Sequence, residues 1–222
     1  MFRFITLLLV LSVVAPAASG ADLKRGKFLF QTCAACHGDK GEGKTVGTLK
    51  LPPIGGLPAW YAEIQLKNFK NGVRGAHPSD TKGLLMRPMA RLLPTDKDVK
   101  AMAAFIETLP QSRDWAKVEG NKENGKYYYD NICLSCHGDK FQGNPDPTVQ
   151  APSHKALADW YMMEQLKKFI SGVRGAHPKD AGGAKMRPIV ADILPQLAES
   201  KKSTTEQALK DVVSYIYSER YK

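Results

Sequence analysis

The sequence predicts an all-α protein made of two tandem helical units of similar size. Three observations lead to this fold class. The chain matches itself when it is shifted by one hundred residues, apolar residues recur at helical spacing in both halves, and all four cysteines lie in two identical motifs. Repetition over a fixed period means that one folded unit has been duplicated.

The repeat extends over most of each half, and the two copies align without a gap from Cys33 and Cys133 to Pro88 and Pro188. The segments that coincide are Trp60-Tyr61 with Trp160-Tyr161, Gln65-Leu66-Lys67 with Gln165-Leu166-Lys167, 72–78 with 172–178, and Met86-Arg87-Pro88 with Met186-Arg187-Pro188. Proline and polar residues interrupt both periodic patterns near residues 110–121, where turns are favoured. We therefore place the first domain at residues 22–112 and the second at residues 113–222.

Each half has two amphipathic patterns with a helical period. The later pattern of the first half begins at Thr95, which can cap a helix and is followed three positions on by an acidic residue. Its apolar stripe and the matching stripe of the second half are Val99, Met102, Ala103 and Ile106, and Leu209, Val212, Val213 and Ile216. A middle helix is predicted from Ala62, Leu66, Phe69 and Val73, matched by Met162, Leu166, Phe169 and Val173. These stripes are typical of core packing.

The leading helices differ by one residue between the halves. Gly26 precedes Cys33 by seven positions, whereas Gly125 precedes Cys133 by eight. The second half also carries about ten additional residues around 198–205, whose polar composition predicts a solvated surface loop.

The first 21 residues have the pattern of a secretory signal peptide. A basic residue at Arg3 precedes an apolar run and a tail of small residues that ends near Ala21. The run is shorter than the roughly 20 residues that span a bilayer. We expect the chain to be exported to the periplasm, and no later stretch is apolar enough for a membrane helix.

The two cysteine motifs predict covalent attachment of c-type haem. They are Cys33-Ala34-Ala35-Cys36-His37 and Cys133-Leu134-Ser135-Cys136-His137. Two cysteines at this spacing bond the porphyrin edge, while the adjacent histidine reaches the iron. A zinc site, a redox dithiol and two disulfides are the alternatives. The separation of one hundred residues and the histidine after each pair favour two haem c groups.

Each haem needs a ligand on its second face, and the halves share two candidates. These are Met86 with Met186, and His77 with His177. We favour the methionines, which suit electron transfer, and expect each Met-Arg-Pro segment to form a loop across the haem. Met89 competes with Met86, but its counterpart in the second half is Ile189.

Several other repeated residues are candidates for contact with the haem propionates. Arginine and indole N–H groups can compensate buried carboxylates, and the candidates are Arg74, Arg87, Arg174, Arg187, Trp60 and Trp160. The alternative is that they are ordinary surface arginines and core tryptophans. His154 aligns with Ile54 and is predicted to be a surface residue.

Taken together, these motifs resemble the dihaem cytochromes c of the c4 type, which have two class I cytochrome c domains. The run from Arg74 through Met89 is also similar to cytochrome c domains fused to subunit II of bacterial haem–copper oxidases. The resemblance implies one haem held by Cys33, Cys36, His37 and Met86, and another held by Cys133, Cys136, His137 and Met186. It also implies a periplasmic carrier that passes electrons to a terminal oxidase or another reductase.

The charge of the chain bears on its partners. The formal net charge of +10 suits an acidic docking patch on a redox protein or an anionic lipid surface. The alternative is that scattered lysines only keep the chain soluble. No basic and aromatic motif for nucleic acid is present. Two other functions remain open: a cytochrome subunit of a periplasmic dehydrogenase, and a dihaem enzyme that oxidises sulfur compounds or reduces peroxide. Matching methionines in both halves favour the carrier and argue against an enzyme.

Overall fold

A computed structural model describes residues 19–113 and 118–222. Nearly all of the predicted signal peptide, and residues 114–117 of the predicted junction, lie outside these ranges. The regular elements of the described part are helices apart from one short hairpin and one isolated β-bridge, which confirms the all-α prediction. None of its helices is long and apolar enough to cross a membrane.

The first copy consists of four helices and the hairpin. The elements are α1 (Gly20–His37), β1 (Lys44–Val46), β2 (Leu49–Leu51), α2 (Ala59–Lys70), α3 (Thr81–Arg91) and α4 (Asp96–Thr108). The strands are antiparallel, with Lys44 opposite Leu51. Thr95 and Asp98 form the predicted capping box at the start of α4.

The second copy repeats this order with two π-helical segments. Its elements are α5 (Lys122–Tyr128), a π-helix (Tyr129–Cys133), α6 (Leu134–His137), α7 (Asp159–Ile170), α8 (Ala181–Pro188), a second π-helix (Ile189–Ile193), α9 (Leu194–Ser200) and α10 (Thr205–Glu219). Instead of a hairpin, a single antiparallel bridge joins Asn144 and Ala151.

The first and last helices of each copy cross at a glycine. Gly26 on α1 lies against the backbone of Ala101 on α4, and Gly125 on α5 lies against the backbone of Asp211 on α10. A side chain at either position would force the two helices apart. These crossings place the cysteine motifs, at the ends of α1 and α6, beside the core.

The extra residue of the leading helix is absorbed by the π-helix that ends at Cys133, because a π turn holds one more residue than an α turn. Three sequence-based expectations need correction. Val73 lies beyond the end of α2, and Val173 lies beyond the end of α7. The expected surface loop is confined to residues 201–204, since α9 extends to Ser200 and α10 begins at Thr205. Met86 and Met186 lie in α3 and α8 rather than in loops.

Candidate functional site

Each copy contains a deep cavity with mostly apolar walls, and the predicted ligands line it. Cys33, Cys36, His37 and Met86 line the first cavity. The corresponding residues line the second, namely Cys133, Cys136, His137 and Met186. The structure thus brings each cysteine and histidine motif into the same cavity as its predicted methionine.

The histidines are held in the form that binds a metal. His37 Nδ1 lies 2.8 Å from the carbonyl oxygen of Pro52, and His137 Nδ1 lies 2.9 Å from that of Pro152. A carbonyl can only accept, so Nδ1 donates and Nε2 keeps its lone pair. Burial lowers the pKa of both imidazoles, although these hydrogen bonds oppose the shift. A lowered pKa favours the neutral imidazole, whose Nε2 lone pair can bind a metal.

The methionines reach the cavities from a short helix. Asp80 caps α3 by accepting a hydrogen bond from the Gly83 N–H at 3.1 Å, and α8 begins in the same way. The helix presents Met86 to the first cavity, but Met89 also lines it. Met86 is the residue that has a methionine counterpart in the second copy.

The rival histidines lie elsewhere. His77 and His177 are both exposed. Each Nδ1 accepts a hydrogen bond from a backbone N–H two residues later, at 3.1 Å. They belong to turns that precede the methionine helices, and neither lines the cavity of its copy.

Buried arginine atoms test whether a haem suits these cavities. Arg74 lines the first cavity and Arg174 the second, and the Nε atoms of both are buried without a hydrogen-bond partner in the described ranges. The other candidates, Arg87 and Arg187, line neither cavity. A buried donor without an acceptor is costly, and carboxylates such as the haem propionates are suitable acceptors. Each apolar cavity is also lined by two thiols, an imidazole and a thioether, which are the groups that attach and ligate a c-type haem. The residues therefore fit such a haem.

The two tryptophans do not lie where contact with the haem propionates of their own copies would place them. Trp60 lines the second cavity instead of the cavity of its own copy. Trp160 lies under the ammonium of Lys82, 5.0 Å from its ring centroid. Both residues therefore lie where the two copies meet.

The two cavities adjoin at a reciprocal polar cluster between α2 and α7. Its members are Tyr61, Gln65, Arg74, Tyr161, Gln165 and Arg174. Arg74 donates to Gln65 Oε1 at 2.5 Å and to Gln165 Oε1 at 2.9 Å. Arg174 donates to the same two oxygens, at 3.4 and 3.1 Å. Each glutamine oxygen thus accepts from one arginine of each copy.

An ion network joins the copies on one side of this cluster. Lys168 Nζ lies 2.8 Å from Asp80 Oδ1 and 2.7 Å from Glu164 Oε1, and Lys82 also pairs with Glu164. The equivalent aspartate of the second copy, Asp180, is buried and its Oδ2 has no partner in the described part of the chain. The network is therefore asymmetric.

His154 is not the surface residue that the alignment predicts. Its ring stacks on His137 with the centroids 4.1 Å apart, and its Nδ1 is buried without a partner among the described residues. Burial, together with the nearby charge of Arg220, holds the pKa of His154 well below its ordinary value. The second cavity thus has a polar ring beside its histidine where the first has Ile54.

The polar cluster is the part of the site that sequence reasoning missed. Tyr61 and Gln65 were recognised only as repeated residues, as were Tyr161 and Gln165. Their four-residue spacing puts two polar side chains on one face of each helix. Such a face in a mostly buried helix is a signal for a polar partner across an interface.

Comparisons with known proteins agree with this geometry. A family model described as cytochrome c matches residues 23–110 and again residues 122–219. The thiosulfate dehydrogenase electron acceptor of Stutzerimonas stutzeri is 28% identical over 86% of this chain and 88% of its own length. Cytochrome c4 of Pseudomonas aeruginosa is 34% identical over 41% of this chain and 44% of its own. The crystal structure of reduced recombinant cytochrome c4 from Pseudomonas stutzeri superposes with a TM-score of 0.63 at 22% identity, covering 88% of this chain and 97% of that one.

Proposed function

The chain belongs to the cytochrome c family and is a dihaem electron-transfer protein of the c4 type, and from this premise we propose that it works in the periplasm as a carrier. It receives electrons from a dehydrogenase and passes them to a terminal oxidase or another reductase. Two covalently bound haem c groups are attached at Cys33 with Cys36 and at Cys133 with Cys136.

One observation supports a carrier above all: each cavity is lined both by the histidine of its cysteine motif and by a methionine. A haem held in this way moves electrons by cycling between ferrous and ferric iron. In our proposal His37 and Met86 would hold the iron in residues 22–112, and His137 and Met186 would hold it in residues 113–222. With two protein ligands on each iron, no coordination position would remain for a substrate, which favours a carrier over an enzyme.

The polar cluster supports electron exchange between the two halves. Gln65 and Gln165 each accept from both arginines, so α2 and α7 are held together where the cavities adjoin. These side chains fix the separation of the two cavities and keep the arginines beside them. A carrier with two centres needs that separation to be constant.

The first experiment is a spectrum. The oxidised holoprotein should show near-infrared charge-transfer intensity from two methionine–iron bonds. Intensity for one bond or for none would contradict the proposed ligation and would favour an enzyme with an open haem face.

The second experiment separates a carrier from an enzyme. The oxidised protein is mixed with thiosulfate in the presence and absence of the thiosulfate dehydrogenase from Stutzerimonas stutzeri. We expect both haems to be reduced only when the dehydrogenase is present. Reduction by thiosulfate alone, or steady consumption of peroxide, would support the enzyme alternative. A holoprotein that purifies in stoichiometric complex with a dehydrogenase would be a bound subunit instead.

A further inference from the structure

One side chain distinguishes the wall of the second cavity from the wall of the first. His154 lines the second cavity, and Ile54, one hundred positions earlier, lines the first. The Ile54 N–H donates to the carbonyl of Gly41 at 2.8 Å. The His154 N–H likewise donates to the carbonyl of Phe141 at 3.0 Å. The two copies therefore hold the backbone alike and place a different side chain on it.

The ring of His154 lies on the ring of His137. The two centroids are 4.1 Å apart, and the ring planes are inclined by 26°. His137 is the histidine of the second cysteine motif, and its Nδ1 atom lies 2.9 Å from the carbonyl oxygen of Pro152. The stacked pair thus includes the side chain that we expect to bind the second iron, and its orientation is fixed by a hydrogen bond.

Neighbouring groups hold His154 in this position. Tyr129 meets its ring edge to face with the centroids 6.3 Å apart, and the Tyr129 hydroxyl donates to the carbonyl of Gly138 at 2.7 Å. Arg220 donates to the His154 carbonyl at 3.1 Å. The Nδ1 atom of His154 is buried and has no hydrogen-bond partner within the described ranges. Ring contacts, rather than a hydrogen bond at Nδ1, therefore orient this side chain.

A ring stacked on an iron ligand affects the two oxidation states differently. The ferric state carries one more positive charge than the ferrous state, and the ligand histidine shares part of that charge. The face of an aromatic ring is negative and attracts positive charge, whereas an isoleucine side chain has no such face. The guanidinium of Arg220 beside His154 disfavours a second positive charge on the ring. The contact should therefore favour the ferric state, since the shell around a ligand tunes the potential of its metal.

We propose that the ring of His154, stacked on His137, stabilises the ferric state of the second haem and lowers its reduction potential. Ile54 leaves the first haem without this effect. One substitution in a closely similar repeat thus makes the two centres of the carrier unequal. The proposal rests on the ligation by His137 and Met186 that is proposed above.

The test exchanges the two side chains between the copies. The holoprotein variants are His154→Ile, Ile54→His and His154→Phe, of which the last keeps a ring but has no ring nitrogen. Spectroelectrochemical titration at pH 7 gives two reduction potentials for each protein. The matched control is His177→Asn, because His177 belongs to the same copy, is exposed and does not line the cavity. Asparagine keeps a side-chain acceptor for the turn in which His177 Nδ1 accepts from the Lys179 N–H.

We expect His154→Ile to raise one of the two potentials and to leave the other unchanged. At a fixed applied potential the ratio of ferrous to ferric second haem should rise about ten-fold, the scale of a buried cation–π contact. For a one-electron couple this is about 59 mV. Ile54→His should lower the other potential, and His154→Phe should stay closer to wild type than His154→Ile does. His177→Asn should match wild type at both haems.

Four outcomes would overturn the proposal. Unchanged potentials in His154→Ile would show that the ring only fills space, and a lowered potential would reverse the expected sign. Equal shifts of both potentials would exclude an effect through His137 alone. Equal shifts in His154→Phe and His154→Ile would exclude the ring face. If His154→Ile does not hold its second haem, Ile54→His decides, and an unchanged potential there counts against the proposal.

Near-infrared spectra separate this proposal from the ligation on which it rests. Both methionine–iron bands should keep their intensity in every variant, so that a shift in potential does not come from loss of Met86 or Met186. Wild-type intensity for fewer than two such bonds would contradict the proposed ligation itself. Wild-type intensity for two bonds, with potentials that do not respond to His154, would contradict only the role of the stacked ring.

Discussion

Replacement of Lys168 by methionine is expected to weaken the contact between the two halves. The Lys168 side chain is 16% exposed, and its partners Asp80 and Glu164 are 7% and 24% exposed. Methionine keeps most of the aliphatic length but removes the ammonium, so two mostly buried carboxylates lose their shared cation. Removal of one partner of a fully buried pair costs about 3–5 kcal/mol.

The expected loss of unfolding free energy is smaller than that limit. Glu164 keeps its pair with Lys82, and Asp80 keeps the hydrogen bond from the Gly83 N–H. We therefore expect Lys168→Met to lose about 2 kcal/mol at pH 7, within the range for a disrupted buried ion network. Guanidinium unfolding of the holoprotein, followed by fluorescence and by haem absorbance, measures this loss.

The neighbouring lysine provides a matched control. The Lys167 side chain is 51% exposed, and its partner Glu206 is 49% exposed. An exposed pair of this kind contributes about 0–1 kcal/mol. Lys167→Met removes the same charge from the same helix and should have little effect on stability. If the two variants lost the same unfolding free energy, burial of the Lys168 ion network would not be the cause of the loss.

The pH dependence gives a second check. Burial works to raise the pKa of Asp80, but the hydrogen bond and charge of Lys168 outweigh it, so the pKa lies below its ordinary value. The pKa of Glu164 is lowered in the same way, against burial, by Lys168 and Lys82. A lowered pKa in the folded state stabilises the protein above the unfolded pKa of about 4. That stability is lost as the pH falls through the pKa of the folded state.

The loss of unfolding free energy in Lys168→Met should therefore be full at pH 7 and shrink below about pH 4. A deficit that does not change with pH would show that packing, not charge, is responsible.

Two further predictions concern ligation and packing. Met86→Ala and Met186→Ala should each lower the reduction potential of one haem and remove about half of the near-infrared intensity, while both haems stay attached. Loss of that intensity in Met89→Ala, with Met86→Ala unchanged, would reassign the first ligand. Gly26→Ala should destabilise the holoprotein by about 2 kcal/mol in guanidinium unfolding, since its Cβ would lie 2.6 Å from the Phe105 Cβ and even closer to the backbone of α4. Unchanged stability would mean that the helices can separate without cost.

The repeat could be predicted from sequence because it depends on local patterns. The cysteine spacing reflects bonds to a rigid porphyrin, and the capping box at Thr95 depends on residues only three positions apart. Matching these patterns between the halves was enough to pair each histidine with Met86 or Met186. Both the fold class and the cofactor followed from residues that are close together in the chain.

The features that sequence did not predict depend on tertiary contacts or on backbone adjustment. The extra residue before Cys133 is absorbed by a π turn, which leaves the motif in the same orientation at the helix end. The Met-Arg-Pro segment was expected in a loop because of its proline, yet Pro88 lies inside α3. The helix continues through Pro88 to Arg91, so the proline removes one backbone donor without ending the helix. The partners of Gln65 and Gln165 could not be predicted, because each glutamine accepts from one arginine of its own half and from one of the other half.

The differences between the copies are informative because duplication begins with two equal halves. A symmetric protein would have no preferred route for electrons, since both centres would meet the same partners at the same potential. The polar cluster of Arg74 and Arg174 keeps that symmetry, and it lies where the two cavities adjoin. The departures from symmetry lie around it. Lys168 pairs with Asp80, whereas Asp180 has no ion pair within the described part of the chain, and Leu85 is exposed where the second copy has a lysine. Reduction adds an electron to a haem, so a difference between the charges that line the two cavities would give the two haems different reduction potentials.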